Sequence, residues 1–169
     1  MTLPEHFDHN EWFVLTGVIL SYLLVFLLPR RFPLSVILLV MLCAIVFARV
    51  LDHMMASPSL DLYDIMDKGN YELFDLVLYS FYAPFAYLYI YLFDKFNVKG
   101  IWTGLYILVW SLIAIGFERV NVYFGVFNYH GWKGAYSFPV YLAVQSFTLL
   151  FFLYIQHHYN HLKSTQDEP

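Results

Sequence analysis

Five long apolar stretches, separated by short polar segments, set the pattern of the chain. The first runs from about Trp12 to Leu28 and stops at Pro29-Arg30-Arg31. The others cover about 33–51, 71–93, 101–120 and 138–155. Each is close to the roughly 20 residues that a helix needs to cross a bilayer. None alternates with period two, so a strand-built barrel is not expected. The pattern predicts an all-α polytopic membrane protein. It would be a bundle of about five transmembrane helices within a single domain over 1–162, followed by a short polar tail over 163–169. Pro33 suits a first helical turn, where its missing N–H costs nothing. Pro84 falls near the middle of the third stretch and predicts a kink there.

Composition agrees with that pattern. Of 169 residues, 60% are hydrophobic and 13% charged, against about half and a quarter in soluble domains. Thirteen acids and nine bases are too few to cover a water-soluble fold, so lipid is the expected surroundings and the bilayer the first partner. The single cysteine, Cys43, excludes a disulfide framework or a zinc finger. A net charge of −4 with scattered bases argues against nucleic acid. The first eleven residues hold Glu5, Asp8 and Glu11 and no base. The first apolar run therefore reads as an anchor that stays, not as a cleaved signal. With the N-terminus outside, the inner segments carry Arg30, Arg31, Lys95, Lys99 and Lys163, against Arg49, Lys68, Arg119 and Lys133 outside. Because Arg49 and Arg119 belong to helix ends, this favours N-out and C-in.

Charge placement is the informative feature. At the helical rise, Arg49, Asp52 and His53 lie about 24–30 Å above Pro33, and Glu118 and Arg119 about 26–27 Å above Ile101. Asp75 and Glu72 lie about 29–33 Å from Asp94. Three helices thus bring ionisable groups to one level near the outer boundary of the hydrocarbon. Arg49, Asp52 and His53 share a helix face at i, i+3 and i+4, as Glu72 and Asp75 do at i and i+3. Two arginines against Asp52, Glu72, Asp75 and Glu118 leave an excess of negative charge. Charges near lipid must face inward and pair. One reading is an ion-pair girdle that fixes helix register. Another is a site in which Glu72, Asp75 and Glu118 act as acid–base groups or hold a divalent metal. In that case Asp52 and His53 would relay a proton, and Arg49 and Arg119 would orient a phosphate. A third is a pH sensor using His53 or His130.

The outer loop Asn121–Ser137 is rich in glycine and aromatic residues. It predicts an interfacial flap built on Tyr129, His130, Trp132 and Tyr136, with a lid over the charged layer as the alternative. The loop Ala56–Asn70 carries Asp61, Asp64 and Asp67 at every third position. It predicts a turn or two of amphipathic helix on the surface. Gln145, Ser146 and Thr148 are expected to make hydrogen bonds between helices. His157 and His161, at i and i+4, and His6, Asp8 and His9 suit polar helix ends, with metal chelation the alternative. No zinc-protease, hydrolase or nucleotide motif is present.

The stretch Glu118, Gly125-Val126-Phe127, Tyr129, Trp132-Lys133 and Tyr136-Ser137 resembles an uncharacterised family of small integral membrane proteins from endospore-forming Firmicutes. The resemblance covers about the last third of the chain. It implies a multi-pass protein of the bacterial inner membrane and no particular activity. Arg119 and His130 fall outside the family pattern. The expected function is a non-enzymatic accessory or assembly subunit, or a small transporter or sensor, with a homo-oligomer or another membrane protein as partner. The competing reading is an intramembrane enzyme acting on a lipid or isoprenoid headgroup.

Overall fold

The computed structural model describes residues 7–57, 60–66 and 73–166. Among these, five helices account for nearly everything: α1 His9–Leu27, α2 Leu34–Met55, α3 Leu73–Lys95, α4 Ile101–Tyr123 and α5 Gly134–Gln166. All five are long and apolar enough to cross a membrane, and the chain is a multi-pass membrane bundle. Leucine, isoleucine and phenylalanine side chains such as Leu27, Phe26, Ile101 and Leu150 are exposed around it, as a lipid-facing surface requires. More than half of the α3 span is buried, against less than a quarter of each other span. Helix α3 is therefore the central element. It packs against α1 and α2, while α5 packs against α4 and α2.

Local chemistry sets the ends. α1 begins three residues before the apolar run, because Asp8 and Glu11 form a reciprocal capping box at its N-terminus. It stops at Leu28, whose extended backbone (ψ 139°) is the conformation a following proline imposes. Pro84 leaves the Ser80 carbonyl of α3 without its usual helical donor. The Tyr22 hydroxyl of α1 donates to that carbonyl at 3.2 Å, so the break in one helix is satisfied by its neighbour. α2 runs to Met55, past the expected Leu51. α5 extends beyond its apolar run at both ends, starting at Gly134 and continuing through His157, His158 and His161. Lys163 to Gln166, expected in the polar tail, form its last turn. No Pro or Gly falls between Gln156 and Gln166, and the Ser164 and Thr165 hydroxyls donate to the His161 carbonyl.

Within the segment expected to form an amphipathic helical turn, the described residues 60–66 are not helical. Residues Tyr63–Ile65 form a strand, β1, that pairs antiparallel with β2, Phe127–Tyr129. The register sets Tyr63 opposite Tyr129 and Ile65 opposite Phe127. Positive φ at Asp61 and Met66 turns the chain at either end of β1. The Leu62 carbonyl accepts from the backbone N–H groups of His130, Gly131 and Trp132. Long-range pairing thus outweighs a local amphipathic pattern. The ribbon buries Tyr63, Met66, Val126 and Phe127 with Val14, Leu78 and Phe81 in one core cluster. A second cluster, around Phe32, Val36, Tyr87, Ile90 and Phe152, fills the opposite end. Arg31 there pairs with Asp94 at 2.7 Å.

Candidate functional site

Between the two clusters lies a cavity of about 260 Å³. Its lining runs from Ala44 to Met55 on α2, Leu78 to Tyr89 on α3, Trp110 to Asn121 on α4 and Ser137 to Thr148 on α5. Each stretch spans eleven residue steps, which is roughly 16 Å of helix. The cavity exists because α3 and α4 do not pack backbone to backbone. Aromatic rings bridge their seam instead: Phe117 contacts Phe81 and Phe85 with centroids 5.3 and 5.0 Å apart, and Tyr89 meets Tyr106 and Trp110.

The wall is apolar over most of its length. At the deep end Gln145 accepts from the Ser111 hydroxyl at 2.9 Å. At the ribbon end two buried carboxylates enter the lining, Asp52 (9% exposed) from α2 and Glu118 (6% exposed) from α4. The ribbon fastens both. The Tyr63 hydroxyl donates to Asp52 Oδ1 at 2.6 Å, and the Tyr129 hydroxyl donates to Glu118 Oε1. These tyrosines are the directly paired residues of the two strands. One cross-strand pair therefore holds carboxylates from two helices.

The hydrogen positions around Glu118 follow from donor counting. The Trp132 indole N–H is a donor only, and it lies 2.9 Å from the Ser137 hydroxyl. That hydroxyl must accept there, so its own proton points at Glu118 Oε1, 2.7 Å away. The Tyr141 hydroxyl also interacts with this carboxylate. Glu118 is thus surrounded by donors, the environment of an ionised acceptor. Burial, and then the adjoining Asp52 carboxylate, push the Tyr63 hydroxyl well above the usual phenol range. Burial and the Glu118 hydrogen bond do the same for Tyr129. Both remain donors throughout the physiological pH range.

The described residues singled out from the sequence separate into three groups. Asp52 and Glu118 line the cavity, as do Tyr129 and Trp132 of the flap. Asp75 is buried nearby on α3. Arg49 is half-buried, its guanidinium 5.4 Å from the centre of the Tyr79 ring. Both lie within electrostatic reach of Asp52. His53, Arg119, His130 and Tyr136 are exposed. His53 follows Asp52 directly, so the helix turns it toward a different side from the buried one. Arg119 leans outside the wall against Gly134, where an added Cβ would collide with the guanidinium. His130 pairs on the surface of the ribbon with Asp64 at 2.9 Å. Glu72 and His6 lie outside the described residues, as does Asp67. Residues 60–66 and 124–133, joined by the β1–β2 pairing, lie over the carboxylates.

Among the described residues no group of three or more histidine, cysteine or acidic side chains is placed to hold a metal ion. His157 and His161 are exposed on the extension of α5. Sequence reasoning missed Tyr63, Tyr82, Tyr141 and Asn121, all in the cavity lining. Tyrosines in membrane spans read as interfacial or packing residues, and only the pairing of β1 with β2 reveals Tyr63. Ser137, which the sequence brought forward only within the family pattern, is the link between Trp132 and Glu118. Comparisons with known protein families, with curated proteins and with solved structures find no match for this chain.

Proposed function

We propose that the chain is a non-enzymatic membrane protein that binds a small amphiphile inside its helical bundle, as a carrier or sensor subunit. The observation that carries this reading is the cavity itself, long and mostly apolar, with both carboxylates at one end. That is the profile of a ligand pocket, mostly apolar with a few convergent polar groups. The donors around Glu118 favour a fixed acceptor over a general acid, which places binding ahead of acid–base chemistry on a lipid headgroup. Phe81 and Phe117 line both this cavity and a shallower groove between α1 and α4. Their rings form a partition through which a membrane-dissolved molecule would enter sideways.

The location proposed with it is a bacterial inner membrane, with the N-terminus and the ribbon outside. Cysteine labelling in intact cells, on a Cys43→Ala background with Asn97→Cys or Tyr136→Cys, tests the orientation. Only Tyr136→Cys should react with an impermeant reagent. For the binding reading, native mass spectrometry of protein released from lipid nanodiscs should show a bound small molecule in stoichiometric amount. Ala48→Trp or Ala114→Trp, which fill the cavity, should abolish it. A bare wild-type chain would overturn the reading and leave the carboxylates as an ion-pair girdle.

A further inference from the structure

We infer that the polar head of the bound amphiphile is a protonated amine, held between Asp52 and Glu118 within a ring of aromatic side chains. This rests on the binding reading above and names its ligand class. The first support is charge. The lining contains two carboxylates and, among the described residues, no lysine, arginine or histidine. An anionic head would meet like charge in a low-dielectric site, which is strongly unfavourable. A cation would meet opposite charge on both sides.

The second support is an acceptor without a donor. Asp52 is nine-tenths buried, and its Oδ1 is taken by Tyr63. Its Oδ2 is shielded from solvent and has no hydrogen-bond partner among the described residues. A buried carboxylate oxygen without a donor is costly, and an N–H of an ammonium group supplies that donor. A neutral alcohol would satisfy one oxygen but add no positive charge to that of Arg49, which lies within electrostatic reach of Asp52.

The third is the aromatic wall. Tyr63, Tyr82, Tyr129, Trp132 and Tyr141 enter the lining at the carboxylate end. Tyr82 feels Asp52, Glu118 and Tyr129 electrostatically, and Tyr141 feels Tyr82, Glu118 and Tyr129. Tyr82 thus lies within reach of both acids, and Tyr141 within reach of Glu118. The hydroxyls of Tyr63 and Tyr129 are engaged by the carboxylates. Their rings, with those of Tyr82, Trp132 and Tyr141, line this end of the cavity, and aromatic rings attract cations. Below them, Ala44, Ala48, Ile113, Ala114, Val140 and Val144 form an apolar sleeve for a hydrocarbon tail.

The test compares ligands with one tail and different heads. Decylamine, decanol and decanoate are titrated into the whole protein in phosphatidylcholine nanodiscs. The signal is tryptophan fluorescence, since Trp110 and Trp132 line the cavity, and empty discs correct for partition. Decylamine should bind at least about tenfold more tightly than decanol, with decanoate excluded. Asp52→Asn should remove the preference for the amine while decanol binding persists. Because Glu118 is also central to packing, Tyr82→Leu serves as the second variant, and it should weaken the amine more than the alcohol. If decanol equals decylamine in the wild type, the amine inference is overturned and the binding reading stands. If no probe binds above the level seen with Ala48→Trp, both are overturned.

Discussion

Replacing Tyr63 by phenylalanine isolates the contact that ties the ribbon to the bundle. The change deletes one hydroxyl and leaves the ring, which packs against Phe127 and Trp132 with centroids 5.8 and 5.9 Å away. What is lost is the 2.6 Å hydrogen bond to a buried carboxylate. A hydrogen bond to a charged group contributes about 1.5–3 kcal/mol, and stranding the buried partner costs as much. Oδ2 of Asp52 has no hydrogen bond among the described residues, so the upper half of that range applies, about 2–3 kcal/mol. For a chain of this length each kcal/mol moves the melting midpoint by about 2–4 °C. Tyr63→Phe should therefore melt roughly 4–12 °C lower, followed by circular dichroism in detergent. Tyr123→Phe, on a side chain 84% exposed, should not move it. A double-mutant cycle with Asp52→Ala should give a coupling of about 2 kcal/mol, since both single changes remove the same bond. Tyr63→Phe melting within a degree of the wild type, or a coupling near zero, would refute the argument that this bond fastens the ribbon.

Three further outcomes follow from single contacts. A Cβ at Gly17 would run into the Phe81 ring, so Gly17→Ala should cost about 1–3 kcal/mol by overpacking, seen as a lower melting midpoint. Tyr22→Phe should cost about 1 kcal/mol by stranding the Ser80 carbonyl. That cost should vanish in a Pro84→Ala background, where residue 84 regains an N–H for the same carbonyl. Arg31→Ala should change stability by less than about 1 kcal/mol, because the pair with Asp94 is about a third exposed on each side and solvent screens it.

The helices were legible because hydrophobic length is a strong signal in lipid, where every backbone group must be satisfied within its own segment. Their ends were less so, since caps override the apolar boundary. Asp8 and Glu11 carry α1 upstream of Trp12, and the signal was present as an acidic residue followed three positions later by glutamate. The level at which Asp52, Asp75 and Glu118 gather followed from helical rise alone. Which of their neighbours face inward did not. Arg49, Asp52 and His53 share a stripe by spacing, yet the buried side of α2 runs Val36, Val40, Ala44, Asp52, and His53 turns out of it. β1 was hidden for a different reason. Its three residues gain their order from β2, more than sixty positions along the chain, and no local pattern encodes that pairing.

The carboxylates, the ribbon and the cavity are best understood as one unit. Ionisable groups in spans cost about 2.5–3.5 kcal/mol each at mid-membrane and less near the boundary, so Asp52 and Glu118 are held against a gradient that favours apolar replacements. The cavity adds to that cost. The side chains that line this space of about 260 Å³ forgo packing contacts that close-packed helices would supply. Packing alone would close the space by bringing α3 against α4, and it would fill the ribbon end with leucine. Instead large rings span the seam, small alanines line the sleeve, and two strands from separate loops converge to hold both acids in place. Register fixing explains buried charges but not the space between them. An occupant that fills the sleeve and pairs with the acids accounts for both.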